Sequence, residues 1–140
     1  MEGHCGKLFF SRLQEDDDVA ESIKKNVDES GVKAGIFMLI GALKCAMLGC
    51  YKEGEYITKR LEGPLEVASC MGNVAVDERG ETIIHGHIVV SNEKCEAFGG
   101  HLMKGCRVGP TAELVVIEAA GTQLQRRYHE KTKLKLLRLG

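Results

Sequence analysis

The chain has 140 residues, of which 44% are hydrophobic and 28% charged, a balance typical of one water-soluble globular domain. Its formal net charge of -1 disfavours direct binding to nucleic acid, because domains that bind phosphates through their surface are usually basic. We therefore expect one domain over residues 1–140, with DNA as a partner that the charge does not favour.

Six cysteines are spread along the chain without the Cys-x-x-Cys spacing of a zinc ribbon or a thioredoxin-like motif. The first residues also lack the long apolar run of a secretory signal peptide. These two observations predict a cytoplasmic protein with reduced thiols, and free cysteines of that kind are usually buried in the core.

The first predicted elements are a short strand over residues 7–13 and a helix over residues 19–29. Three successive aspartates precede the helix, and acidic residues favour a helix N-terminus through capping and the helix dipole. Val19, Ile23 and Val27 are spaced by four and form one apolar stripe. Gly31 is the expected end of the helix.

An apolar segment over residues 34–51 is long enough to raise the question of a membrane span. Lys44 lies near its middle, where a charge costs about 3 kcal/mol in a bilayer, and three glycines interrupt it. We therefore expect a buried core segment with a turn at Gly41, and no membrane as a partner.

The rest of the chain alternates between strand patterns and polar turns. One early helix followed by many short strands predicts an α+β fold with a mostly antiparallel sheet flanked by that helix. The predicted strands after the helix cover residues 35–40, 42–51, 55–61, 64–71, 73–76, 82–90, 95–102, 112–118 and 133–139.

Three of the five histidines fall within 17 residues, at positions 85, 87 and 101. His85 and His87 lie in a β-branched run and point to the same face of a strand, since side chains alternate along it. His101 follows after about the length that brings a neighbouring strand back alongside. Three imidazoles with an open position describe a catalytic-type zinc site, although copper, nickel and iron also accept nitrogen ligands. The alternative is an exposed polar strand face.

Two carboxylates in apolar surroundings are candidates to serve such a site. Glu66 and Glu113 could each be a fourth ligand, a partner of a ligating histidine, or a general acid or base. The alternative for both is an outward-facing position on a strand.

The basic residues near the end of the chain could contact phosphates. They alternate with leucines, however, and this pattern is typical of the solvent face of an edge strand. The residues concerned are Arg126, Arg127, Lys131, Lys133, Lys135 and Arg138.

Several short motifs follow one another in a fixed order over most of the chain: Gly63-Pro64-Leu65-Glu66, Gly72-Asn73, His85-Gly86-His87, Gly99-Gly100-His101-Leu102 and Thr111-Ala112-Glu113. Together they resemble the PPC domain, the "plants and prokaryotes conserved" domain. The resemblance implies an antiparallel sheet with a flanking helix, a homotrimer, and an architecture similar to acetolactate decarboxylase, a zinc enzyme that uses a His-x-His pair and a later histidine. It also implies a link to DNA, since the plant domain follows AT-hooks, which this chain lacks.

Three functional hypotheses follow. In the first, His85, His87 and His101 bind zinc or another transition metal that acts on a small carboxylate or carbonyl ligand, while Glu66 or Glu113 moves protons. In the second, the trimer binds DNA without an AT-hook, and in the third it is a scaffold. The residues leave open whether the chain is an enzyme and which small molecule it takes.

Overall fold

The computed structural model describes residues 1–139, and this part of the chain contains eight β-strands and one α-helix. The predicted combination of one helix with a mostly antiparallel sheet is confirmed. The elements are β1 (His4–Leu13), α1 (Val19–Ser30), β2 (Gly35–Lys52), β3 (Glu55–Val76), β4 (Thr82–Ser91), β5 (Ala97–Leu102), β6 (Arg107–Ala120), β7 (Leu124–His129) and β8 (Leu134–Leu139).

The strands form one eight-stranded sheet in the order β1-β6-β2-β5-β4-β3-β7-β8. All pairings are antiparallel except a short parallel contact between β3 and β7, at Val76 and Gln125. Because β2 also pairs with β3, the four strands β2, β3, β4 and β5 close into a ring of hydrogen-bonded neighbours. The sheet is therefore curled into a barrel at this point.

The helix matches its prediction closely and ends one residue later, at Ser30. Asp18 caps its start, since one carboxylate oxygen accepts from the Glu21 amide at 3.1 Å and the other from the Gly105 amide at 2.7 Å. Gly31 ends it in the left-handed region, at φ 74°. The predicted apolar stripe is fully buried in the core against the sheet.

Five predicted strands in the middle of the chain are joined into two long ones, β2 and β3. The turn predicted at Gly41 is wrong. The residue lies inside β2 with φ 148°, and the register with β3 shifts beside it, so the chain forms a bulge and continues. The actual turn is at Glu53 and Gly54, both with positive φ, as a two-residue hairpin requires.

The core lies between α1 and the inner face of the curled sheet. The expected burial of cysteines holds for Cys45, Cys70 and Cys106, and burial raises the pKa of the Cys70 thiol to about 12. The remaining three cysteines are exposed. Within residues 1–139, no helix has both the length and the apolar character needed to cross a membrane.

Candidate metal centre

The three histidines at positions 85, 87 and 101 meet at one point of the sheet. β4 and β5 pair antiparallel with His87 directly opposite His101, and His85 lies two residues away on the same face of β4. The ring centroids are 5.3, 5.2 and 5.6 Å apart, which is close to an equilateral triangle. Each residue offers a nitrogen, and these nitrogens all lie within 4.8 Å of one another. The predicted convergence of the three imidazoles is therefore confirmed.

A glycine pair on the opposite face of the sheet makes room for this arrangement. Gly86, between His85 and His87, pairs with Gly72 of β3, and the buried Phe37 packs under both. A Cβ atom at Gly86 would lie 2.6 Å from the Phe37 ring, and one at Gly72 would lie 2.5 Å from it. The aromatic ring thus fills the space that two side chains would otherwise occupy, and it supports the histidine strand from below.

Two further glycines bring β5 close to β2. Gly49 pairs with His101, and a Cβ atom at Gly100 would lie only 2.8 Å from the Gly49 carbonyl oxygen. The expected close backbone approach before His101 therefore holds at Gly100. Tyr56, in the β2–β3 hairpin, lies against the His101 ring with centroids 4.7 Å apart. The tyrosine covers one side of the histidine and contributes to its burial.

Arg126 of β7 is the polar neighbour that sequence reasoning missed. Its Nη2 donates to Asn73 Oδ1 at 2.8 Å and lies 3.1 Å from His85 Nδ1, while Nη1 donates to the Lys135 carbonyl oxygen at 3.0 Å. Its predicted place, on a solvent face or against phosphates, is wrong, because the side chain is only 6% exposed.

This error has a topological cause. β7 is not an edge strand, since it lies between β3 and β8. The two side chains that Arg126 contacts are 53 and 41 residues away along the chain, so no local pattern could indicate them. The short, polar sequence of β7, LQRRYH, also carries no clear strand signal.

The surroundings keep two of the histidines in the neutral form that binds metals. Burial lowers the pKa of His85, and the nearby charges of Arg126 and His87 lower it further. Burial also lowers the pKa of His101 to about 4, with additional contributions from His85, His87 and Arg126. His101 Nδ1 is buried and has no hydrogen-bond partner among the described residues. Three converging imidazoles, one with an orphaned nitrogen, fit a transition-metal ion.

Glu66 and Glu113 do not join this group. Glu66 is exposed on β3 opposite Ser91, which is four residues beyond His87 and so about 13 Å away along β4. Glu113 is exposed on β6 opposite Ile40, nine residues along β2 from the position that pairs with His101. The catalytic roles suggested for both carboxylates stay predictions.

Solved structures with the same fold include several archaeal and bacterial proteins. A metal-containing protein from Archaeoglobus fulgidus is 32% identical, with a TM-score of 0.86 over 96% of this chain and 95% of that one. A plant- and prokaryote-conserved (PPC) protein from Pyrococcus horikoshii is 28% identical, with a TM-score of 0.89 over 99% and 96%. A protein from Bacteroides thetaiotaomicron, provisionally described as DNA-binding, is 20% identical, with a TM-score of 0.86 over 97% and 96%.

A more distant structural similarity is to acetolactate decarboxylase, the architecture that the sequence motifs implied. Acetolactate decarboxylase from Bacillus subtilis subspecies spizizenii has a TM-score of 0.52 at 13% identity, over 84% of this chain and 55% of the enzyme, which shows a common fold only. Among curated proteins, the bifunctional protein GlmU from a Synechococcus strain is 25% identical over 122 residues. That match covers 86% of this chain and only 18% of GlmU.

The family itself follows from a match over most of the chain. The family model for the Plants and Prokaryotes Conserved (PCC) domain matches residues 1–120. The same stretch contains the three histidines and the glycine pairs that hold them together. The chain belongs to the Plants and Prokaryotes Conserved domain family.

Proposed function

We propose that this PPC-domain protein binds one transition-metal ion through His85, His87 and His101, with zinc as the first candidate, and presents it to a small carboxylate or carbonyl compound. The observation that carries the proposal is the convergence of three imidazole nitrogens within 4.8 Å. The metal content of the Archaeoglobus relative supports it. Bound there, the ion supplies Lewis acidity towards an oxygen of the ligand.

The protein around the histidines holds their rings and leaves one side of the site open to a small molecule. Tyr56 packs against the His101 ring, the glycines allow the strands that carry the histidines to approach closely, and burial keeps the His85 and His101 rings neutral. His87 is exposed, so the triangle opens to solvent on that side and a small molecule can approach. Neutral rings bind a cation without first releasing a proton to solvent.

Glu66 and Glu113 are the proposed proton carriers, but one chain does not place them near the histidines. Proton transfer needs a carboxylate within about 3 Å of the reacting group, or one water further away. Because both side chains lie well outside that range in the same chain, their role requires a neighbouring copy of the protein.

A homotrimer is part of the proposal, and one surface supports self-association. Five large apolar side chains are exposed on the parts of β1 and β2 that pair with β6, and we call this surface the apolar face. Cross-strand pairing aligns Phe10 with Met38 and Leu8 with Ile36 through β6 residues. Monomeric proteins rarely expose large contiguous apolar patches. The residues and their exposed fractions are Leu8 54%, Phe10 75%, Ile36 48%, Met38 38% and Ile40 58%.

Metal analysis of protein purified without a histidine tag tests the metal site. We expect one ion per chain by mass spectrometry, and loss of most of it in His101→Ala. The matched control is His129→Ala, because His129 is exposed and lies outside the triangle. A wild-type content far below one per chain, unchanged by His101→Ala, would contradict the proposal.

DNA binding by the trimer is the second candidate, supported by relatives from Bacteroides thetaiotaomicron and Ralstonia eutropha that are provisionally described as DNA-binding. The net charge of -1 does not favour it. Two of the basic residues are also occupied, since Arg126 is buried and Lys135 pairs with Asp77 at 3.1 Å. Gel shifts at low salt decide this candidate: it predicts binding that weakens steeply as salt is added. A scaffold role predicts that histidine substitutions change neither the metal content nor the affinity for any ligand. Location in the cytoplasm stays a prediction.

A further inference from the structure

Arg126 is a buried cation without a carboxylate partner among residues 1–139. None of the ion pairs in this part of the chain includes it. Its three acceptors, Asn73 Oδ1, the Lys135 carbonyl oxygen and His85 Nδ1, are all neutral, and its buried Nε has no partner. Burial lowers the pKa of the guanidinium accordingly. A buried charge solvated only by neutral groups is costly, so a counter-ion is expected to stabilise it.

The contact between Arg126 and His85 also conflicts with metal binding by His85. A guanidinium can only donate, so His85 Nδ1 accepts, and a neutral imidazole has a single acceptor nitrogen. Metal ligation needs that one lone pair, either at Nδ1 itself or at Nε2 after the ring proton has moved to Nδ1. In both cases Nη2 of Arg126 loses an acceptor. Occupation of the metal site therefore leaves one N–H of the charged Nη2 without an acceptor, while the other still donates to Asn73 Oδ1.

We propose that Arg126 binds the carboxylate of the small-molecule ligand at this site, so that the protein selects compact carboxylates over neutral compounds of the same shape. The proposal rests on the proposed metal site and specifies its ligand class. Arginine suits this role because its planar donors match the geometry of a carboxylate and form charge-assisted hydrogen bonds. The distance is also suitable, because Nη2 lies 3.1 Å from His85, a member of the triangle. An acceptor oxygen that replaces His85 at Nη2 therefore stays next to the metal ligands.

Acetate and acetamide form the matched pair of probes, since they have the same shape and differ in charge. The tag-free protein is loaded with cobalt(II), and paramagnetic broadening of each probe's methyl proton signal reports binding near the ion. We expect wild type to prefer acetate, and Arg126→Gln to weaken acetate binding about tenfold or more, as loss of a charge-assisted hydrogen bond predicts. The control is Arg127→Gln, which removes the same charge from an exposed neighbour on β7 and should leave acetate binding unchanged.

The outcomes separate the two proposals. Wild type that holds one metal per chain but binds acetate no better than acetamide overturns the role of Arg126 and leaves the metal site intact. Wild type that holds no metal overturns both. If Arg126→Gln does not fold, Arg126→Lys replaces it. It keeps the charge but lacks the planar fork, and we expect it to bind acetate more weakly than wild type does; equal affinity would contradict the proposal.

A carboxylate from a neighbouring copy is the other source of the same chemistry. In that case light scattering after size exclusion would show a smaller assembly for Arg126→Gln than for Arg127→Gln, and wild type would not distinguish acetate from acetamide. That combination overturns the assignment to a small molecule. An unchanged assembly together with a clear acetate preference supports it.

Discussion

The three histidines at positions 85, 87 and 101, here called the histidine triangle, and the apolar face are two regions of the same sheet. Each has groups without partners, which are polar at the histidine triangle and apolar at the apolar face. At the triangle, polar atoms are buried without partners: His101 Nδ1 and Arg126 Nε have no hydrogen bond within the described chain. At the apolar face, large hydrocarbon groups such as Phe10, 75% exposed, lie in water without a covering layer. The first deficit can be met by an ion and a small anion, whereas the second requires a surface as large as another protein molecule.

The two regions also differ in how the chain builds them. The triangle depends on close backbone approach, with glycines at positions 72, 86, 49 and 100 removing side chains on the opposite face or at neighbouring strands. The apolar face depends only on the alternation of side chains along β1 and β2. Changes at one region should therefore leave the other unchanged, and this independence is open to experiment.

The largest expected effect is the stabilisation of the fold by zinc. Zinc at 100 times its dissociation constant should raise the free energy of unfolding by about 2.7 kcal/mol, because a ligand that binds only the folded state stabilises it by mass action. Thermal unfolding with zinc and with a chelator measures this difference. His101→Ala should abolish it and His129→Ala should retain it. A zinc effect of equal size in both variants would place the metal elsewhere.

Disruption of the apolar face should act on assembly alone. Phe10→Arg puts a charge at the most exposed side chain of this face, and loss of a principal contact residue typically costs about 2 kcal/mol or more, roughly a 30-fold weaker association. Size exclusion with light scattering over a concentration series should show dissociation. The control is Leu136→Arg on β8, at a side chain that is 40% exposed outside this face. Metal content should stay the same in both variants; its loss in Phe10→Arg would show that the two regions are coupled.

The sequence predicts the parts of both regions that depend on local periodicity. The common face of His85 and His87 follows from side-chain alternation on a strand, and the stripe of α1 follows from the helical period. The return of the chain at His101 follows from the length between the two strands. The sequence does not predict that β2 continues through Gly41, because a bulge and a turn both use glycine with positive φ. Nor does it predict Arg126, whose contacts with Asn73 and His85 depend on how distant strands pair.

Substitution of Gly86, which pairs with Gly72 beneath the histidines, should have an intermediate effect on the free energy of unfolding. Gly86→Ala would place a Cβ atom 2.6 Å from the Phe37 ring, and overpacking of this kind costs about 1–3 kcal/mol. Urea unfolding measures the loss. Phe37→Leu in the same chain should recover part of the lost stability, because the smaller side chain leaves room for the added methyl group. No recovery in the double variant would mean that the ring is not the cause, while assembly through the apolar face should be unaffected in either variant.

The smallest expected effect is that of Arg126→Gln on zinc affinity. Whether the affinity falls or rises distinguishes two roles of Arg126. If Arg126 mainly orients His85 for the metal, Arg126→Gln should weaken zinc binding, since loss of such a supporting partner typically costs about 10- to 100-fold in affinity. If it competes with the metal for the His85 lone pair and repels the ion, Arg126→Gln should instead strengthen zinc binding by a few-fold, roughly 1 kcal/mol or less. We expect the second result, measured by competition with a chromophoric chelator in buffer free of carboxylates. Because coupling between two ligands is reciprocal, acetate should strengthen zinc binding in wild type and in Arg127→Gln but not in Arg126→Gln.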